Sequence, residues 1–124
     1  MTLRAEMAYA HVDLPPSLPE IHAANQFGFY AESTFRFYDD SLWAFERASF
    51  GVVARADYID LNLDERAVTR EAMGSETTRL TVGPWFRPAP GTTLRVVYRH
   101  DWLTDELQNP HRAGGIQFGI ATYF

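Results

Sequence analysis

The sequence predicts an all-β protein, an antiparallel meander of about six long strands. Apolar and polar residues alternate with a period of two over long stretches, which is typical of strands with one apolar and one polar face. The connections alternate between long and short, as a meander with one elaborated end requires. Helical i, i+3, i+4 spacing is confined to Asp64–Met73, so strands are expected to dominate.

The predicted strands follow one another without a linker or a change of composition. They cover Thr2–His11, Phe27–Tyr38, a third segment that ends near Ile59, Thr78–Arg87, Thr92–Trp102 and Gly115–Phe124. The alternation breaks near Trp43–Arg47, which predicts a bulge or a later start of the third strand. Pro84 cannot donate to a ladder, so the ladder is expected to loosen there.

Long and short connections alternate along the whole chain. The long ones are Val12–Gln26, Asp60–Thr77 and Leu103–Gly114, and the short turns are expected around Asp39–Ser41 and at Pro88–Gly91. If the C-terminus is on the periplasmic side of an outer membrane, every long connection faces outward and every short one faces the periplasm. Residues 1–124 are therefore interpreted as a single β-barrel segment.

Composition excludes several classes of protein. The 124-residue chain has a net charge of -5 and no cysteine, which excludes a disulfide scaffold, a thiolate zinc site and a cysteine nucleophile. The acidic balance argues against a nucleic-acid partner. Apolar stretches are too short for a membrane-spanning helix, but a spanning strand needs only about ten residues, half of them apolar.

The sequence contains no pattern that indicates catalysis. The four histidines, His11, His22, His100 and His111, lack HExxH or any other spacing of metal ligands. Nucleophile-elbow and phosphate-binding glycine motifs are also missing from the sequence. The chain is therefore expected not to be an enzyme and to use no cofactor and no metal.

Alternating faces fit two architectures. A soluble lipocalin-like or β-sandwich domain would place the apolar face inside, where it would bind an apolar ligand. An outer-membrane up-and-down β-barrel would place that face against lipid and the polar face around a hydrated lumen. Charges at mid-strand and the order of loop lengths favour the barrel, and alternation by itself leaves both open.

The polar face supplies the candidate pore-lining residues. They are Arg4, Glu6, Glu32, Arg36, Arg55, Asp57, Arg79, Arg95, Arg99 and Asp101. With Arg87 included, this face carries seven arginines and four acids, whereas the whole chain is acidic. Rings of arginine favour anions in pores, so a mild anion preference is one hypothesis. An arginine–acid ladder that braces the wall is the other.

Aromatic residues of the apolar face collect towards the strand ends. Those expected to face lipid or the membrane interface are Phe27, Phe37, Tyr58, Phe86 and Trp102. Smaller residues such as Ala31 and Ala54 occupy the strand middles. Aromatic girdles at both membrane interfaces have this distribution. Ordinary aromatic packing in a core is the alternative.

Two segments carry a resemblance to outer-membrane proteins. The last strand, GGIQFGIATYF, places Phe118, Ile120, Thr122 and Phe124 on one face and resembles the C-terminal assembly signal of Gram-negative outer-membrane proteins. The segment Arg79–Trp102, RLTVGPWFRPAPGTTLRVVYRHDW, is similar to the strand–turn–strand of porin-like barrels, most of all to porins of the OmpL-like type. Phosphate-selective-type porins are a second candidate family.

The resemblance implies a function, a location and partners. It implies a porin-like channel for passive diffusion of small solutes in the cell outer membrane, with the C-terminus periplasmic. Its partners would be outer-membrane lipid, lipopolysaccharide and the barrel-assembly machinery, and a homo-oligomer is one alternative. Single-chain barrels have at least eight strands, and no apolar signal segment follows Met1. The chain is therefore expected to be the C-terminal portion of a larger barrel, unless several chains pool their strands.

Overall fold

The protein is all-β, in agreement with the sequence. The computed structural model describes residues 1–13, 25–61, 63, 75–105 and 109–123, and none of these residues is helical. Six strands form one sheet: β1 (Thr2–His11), β2 (Asn25–Leu42), β3 (Phe45–Asp60), β4 (Glu76–Ala89), β5 (Thr92–Thr104) and β6 (Pro110–Thr122). The prediction of an antiparallel meander of about six strands is confirmed.

The sheet follows chain order. Each strand pairs antiparallel with the next, so the spatial order is β1-β2-β3-β4-β5-β6. The outer edges of β1 and β6 pair with no strand among the described residues. Residues of both edge strands are exposed on both faces, whereas the central strands contain buried positions.

The β2–β3 turn lies later in the chain than predicted. Asp39–Ser41, the predicted turn, belongs to β2, and the turn itself is Trp43–Ala44. Asp39 and Asp40 pair with Ser49 and Ala48 of β3. Cross-strand pairing therefore overrides the preference of Asp and Ser for turns. Trp43 instead takes the turn conformation, with a φ of 52°.

Two irregularities predicted from the sequence are confirmed. The β2–β3 register passes from Asp40↔Ala48 to Leu42↔Phe45, so β3 holds one extra residue within the stretch where alternation breaks. The β4–β5 register passes from Val82↔Tyr98 directly to Trp85↔Arg95. The ladder is thus interrupted beside Pro84, as the missing N–H of proline requires.

The two faces of this single sheet differ in burial at the centre of the sheet. Val53, Trp85 and Val97 are only 1%, 6% and 6% exposed, although they alternate with the charged residues of the polar face. On the opposite face, Val82 and Val96 are 40% and 42% exposed. A single layer can bury side chains only on the side towards which it curls. The polar face is therefore concave and the apolar face is convex.

An ion pair between β2 and β5 independently requires this curvature. Arg95 Nη1 lies 3.8 Å from Glu32 Oε2, although β3 and β4 separate the two strands. In a flat sheet, three strand spacings and a four-residue offset would hold the two Cα atoms about 20 Å apart. Curling towards the polar face brings the two side chains together.

Candidate functional site

All ten candidate pore-lining residues lie on the concave face. Cross-strand pairing aligns them in rows, of which two are Arg4↔Glu32↔Arg55 and Glu6↔Tyr30↔Asp57↔Arg79↔Asp101. Arg36, Arg95 and Arg99 occupy the same face through their pairing with Gly51, Trp85 and Thr81. The structure thus brings the predicted charges together on one surface.

The middle and the long-loop end of the concave face hold an ion-paired network. We call Arg55, Asp57, Arg79, Arg99 and Asp101 the paired network. Asp101 is 3% exposed and accepts hydrogen bonds from both neighbouring arginines, with Arg79 Nε and Arg99 Nε each 2.9 Å from Oδ1. Burial excludes competing water from these charges, so each carboxylate needs the cations beside it.

Arg55 and Asp57 form the second half of the paired network. Arg55 donates to Asp57 Oδ1 from Nε at 2.8 Å and from Nη2 at 2.5 Å. The Arg55 guanidinium carbon also lies 4.0 Å from the centroid of the Tyr30 ring, within the range of a cation–π contact. Three contacts therefore hold this guanidinium in place against the wall.

A second group of arginines lies towards the short-turn end. We call Arg4, Arg36, Arg87 and Arg95 the turn-end arginine cluster. They line a cavity of about 210 Å³ between β1, β2, β4 and β5. The remaining lining residues are Met1, Thr2, Glu32, Thr34, Trp85 and Thr93.

The turn-end arginine cluster has few acidic partners. Arg36 pairs with Asp39, and Arg95 reaches Glu32 at 3.8 Å. Arg87 contacts the Thr93 hydroxyl at 3.4 Å and lies 5.8 Å from the Trp85 ring centroid. Among the described residues, Arg4 has no carboxylate within ion-pair distance. The cavity is therefore strongly cationic.

A small apolar cluster lies on the concave face between the rows that contain Arg55 and Arg36, with Trp85 in the Arg36 row. Val53, Trp85 and Val97 form a small buried cluster, and the buried indole Nε1 has no hydrogen-bond partner among the described residues. By alternation along their strands these residues belong to the polar face, where the sequence pattern predicts no role for them. The available signal was that large apolar side chains interrupt an otherwise polar face.

Glycine permits the close approach of strands beside this apolar cluster. A Cβ at Gly51 would collide with the carbonyl oxygen of Phe35, and one at Gly83 with that of Val96. Both glycines lie on the concave face, next to Trp85 and Val53 in the cross-strand rows. Only glycine fits these positions without a shift of the neighbouring backbone.

The convex face presents apolar side chains to the exterior on every strand. Its exposed large apolar residues include Leu3, Met7, Phe29, Phe35, Phe50, Leu80, Val82, Val96, Tyr98, Ile116, Phe118 and Ile120. The predicted interface residues Phe27, Phe37, Tyr58, Phe86 and Trp102 lie on this same face, with Phe37 61% and Trp102 39% exposed. An apolar surface of this extent is unusual in a monomer that is surrounded by water.

Aromatic rings on the convex face form two groups. Towards the long loops, Phe29 packs on Tyr58 at 5.7 Å between ring centroids, and His100 packs on Trp102 at 4.3 Å. Towards the short turns, Phe35–Phe37, Tyr38–Phe50 and Phe45–Phe86 are in contact at 4.8, 5.4 and 5.9 Å. Phe29 and Phe35 are six residues apart on β2, which corresponds to about 20 Å along the strand.

The predicted assembly signal is only partly described. Phe118, Ile120 and Thr122 share the convex side of β6, where they pair with Val96, Leu94 and Thr92. All three are exposed. Phe124, the terminal aromatic of the predicted signal, lies outside the described residues.

Neither a metal-binding cluster nor a membrane-spanning helix occurs among the described residues. Within them, no three His, Asp or Glu side chains converge in a way that could hold a metal ion. No helix there has the length and apolarity that crossing a membrane requires. No protein-family model, no curated protein and no solved structure matches this sequence significantly.

Proposed function

We propose that this chain forms part of an outer-membrane up-and-down β-barrel and contributes the wall of a porin-like channel. The convex face would contact lipid, and the concave face would line a hydrated lumen for passive diffusion of small solutes. The proposal includes no cofactor and no enzymatic step. Lipid, lipopolysaccharide and the barrel-assembly machinery are the partners that such a barrel would meet.

The observation that carries the proposal is the direction of curvature. The sheet curls towards its charged face, so its apolar residues point outward from every strand. Burial of apolar surface stabilises a protein by roughly 25 cal/mol per Å², and a water-soluble sheet would gain that energy by curling the other way. Outward apolar residues suit a lipid solvent instead.

Strand length and aromatic placement support the same proposal. Each strand has at least 10 residues, the length that a tilted strand needs to cross the hydrocarbon core. The two aromatic groups of the convex face are about 20 Å apart along β2, close to the height of the apolar band of such barrels. The outer edges of β1 and β6 would also have to pair with further strands, because lipid cannot form hydrogen bonds with the backbone groups of an open edge.

A soluble lipocalin-like or sandwich domain was the other candidate. It would bind an apolar ligand on a concave apolar face. Here Phe29, Phe50, Val82, Val96 and Ile120 all lie on the convex side, where each is at least 40% exposed. The curvature therefore disfavours this alternative.

Two neighbouring residues of β6 provide the test. Ile116 is convex and 78% exposed, and Gln117 is concave and exposed. In a chain refolded into lipid vesicles, we expect Ile116→Arg to destabilise the inserted state by about 2–4 kcal/mol, since it places a charge near the bilayer midplane. Gln117→Arg, the matched control, should have a much smaller effect because it would face water. Urea titration of the vesicle-bound chain measures both.

Solubility and gel migration provide the contradicting outcomes. A folded barrel in detergent migrates differently before and after boiling, and the wild-type chain should show this shift. Equal effects of the two arginine substitutions, with a chain that stays soluble in plain buffer, would contradict the membrane proposal. If the chain conducts, a reversal potential that shows cation preference would contradict the anion hypothesis.

A further inference from the structure

The turn-end cavity of the concave face is lined by more guanidinium groups than carboxylates, and Arg4 and Arg87 have no carboxylate partner among the described residues. The turn-end cavity of about 210 Å³ is lined by four arginines and one acid, Glu32. Asp39 does not line the cavity, and it forms an ion pair with Arg36. From this arrangement we infer that the turn-end arginine cluster binds a small multivalent oxyanion.

Some hydrogen-bond donors of the cavity arginines have no carboxylate acceptor among the described residues. A guanidinium carries five N–H donors in a fixed fork that matches the oxygens of carboxylates and phosphates. In the paired network these donors already point at Asp57 and Asp101. In the cavity, Arg4 meets no carboxylate within ion-pair distance among the described residues, and Arg87 reaches only a hydroxyl, at 3.4 Å.

The positive charge of the cavity arginines also favours a bound anion. Like charges that line one hollow repel each other, and partial exclusion of water strengthens the repulsion. Of the two acids nearby, Glu32 contacts Arg95 only at the long distance of 3.8 Å. A multivalent anion relieves this repulsion more than chloride does, because the Coulomb energy scales with its charge.

The size and lining of the cavity define the ligand class. A volume of about 210 Å³ holds roughly seven waters at about 30 Å³ each, below the range of drug-sized pockets. Thr2, Thr34 and Thr93 add neutral hydroxyl donors around the arginines. The cavity therefore fits a small oxyanion and not a drug-sized ligand. Phosphate-type and carboxylate-type oxygens share this chemistry, and the experiment separates them.

The site lies in the lumen of the proposed barrel, but its binding chemistry depends only on the concave face. Binding can thus be measured on the full chain in detergent, with no conducting channel. Trp85 lines the cavity, so its fluorescence reports occupancy in a Trp43→Phe/Trp102→Phe background. Pyrophosphate and citrate serve as the phosphate-type and carboxylate-type probes, and chloride as the monovalent reference.

We expect saturable binding of pyrophosphate or citrate at least tenfold tighter than that of chloride, and the tighter of the two probes identifies the group recognised. Arg4→Gln and Arg95→Gln, made as separate single variants, should each weaken that binding at least tenfold, as loss of hydrogen bonds to a charged group implies. The matched control is Arg112→Gln, an exposed arginine of β6 that does not line the cavity. Its binding should stay within twofold of the parent.

Two outcomes would overturn the site. One is equal weakening by the cavity variants and by Arg112→Gln, which would mean that only the overall charge matters. The other is binding of both oxyanions no tighter than that of chloride. A chain that binds pyrophosphate but never enters vesicles would leave the site standing and remove the membrane proposal, so the two failures are distinguishable.

Discussion

The paired network and the turn-end arginine cluster use the same residue types on one face of one sheet, yet they differ in how the arginines are neutralised. In the paired network, three arginines surround two aspartates through direct hydrogen bonds. In the turn-end arginine cluster, four arginines share one distant glutamate and one exposed aspartate. The first arrangement braces the wall, and the second leaves donors available to a solute.

Cross-strand rows explain the difference. One row of the paired network is Asp57↔Arg79↔Asp101, so each acid lies beside a cation on the next strand. The row nearest the cavity is Arg36↔Gly51↔Trp85↔Arg95, with glycine and indole in place of the acids. Directly opposed pairs are the unit of sheet stabilisation. The same-strand contacts Arg55–Asp57 and Arg99–Asp101 add to the first row, whereas no residue between Arg36 and Arg95 supplies a carboxylate.

Removing Asp101 should have the largest effect on this contrast. Asp101→Asn removes the buried carboxylate that accepts hydrogen bonds from two arginines, Arg79 and Arg99. We expect a loss of about 3 kcal/mol of unfolding free energy, since each lost bond joins charged groups. Asp39→Asn is the matched change at the turn end. It removes an exposed pair with Arg36 and should cost less than about 1 kcal/mol. Urea unfolding of the refolded chain compares them, and similar losses would mean that the two ends do not differ as described.

Gly51→Ala tests the boundary between the two ends. The added Cβ would collide with the backbone of Phe35, so we expect a loss of about 2 kcal/mol from forced displacement of β2. Gly119→Ala, at the other end of the same row, meets nothing within 4 Å and should be close to neutral. The same unfolding assay applies. A neutral Gly51→Ala would show that the strands tolerate a wider spacing there.

Glu32→Gln should have the smallest effect on stability of these substitutions. Among the described residues, Glu32 is the one acid that lines the turn-end cavity, so pyrophosphate binding should tighten several-fold through loss of repulsion. Trp85 fluorescence measures the change. The paired network should keep its stability within about 1 kcal/mol, since the Glu32–Arg95 contact is long. Weaker binding would instead assign Glu32 the role of positioning Arg95.

Local pattern predicted some elements and missed others for physical reasons. Thr2–His11 was predicted with its observed bounds, because alternation runs unbroken to both ends of β1. The prediction of a turn at Asp39–Ser41 was wrong, because pairing with β3 continues through residues that favour turns elsewhere. The last strand begins at Pro110 rather than Gly115, since His111 and Leu103 extend the ladder beyond the alternating stretch.

The sequence by itself determined which side chains share a face along the regular stretches of each strand, because a strand has a period of two. The irregularity between Arg36 and Tyr38 of β2 breaks this alternation and pairs Tyr38 with Phe50 of the convex face. Only the tertiary structure decided which face is concave and which arginines find a carboxylate. Arg79 and Asp101 are 22 residues apart in the chain. Glu32 and Arg95 are in contact although two strands, β3 and β4, lie between theirs. Curvature accumulates across the sheet through twist, bulges and close strand contacts at glycine, so no single stretch of sequence contains it.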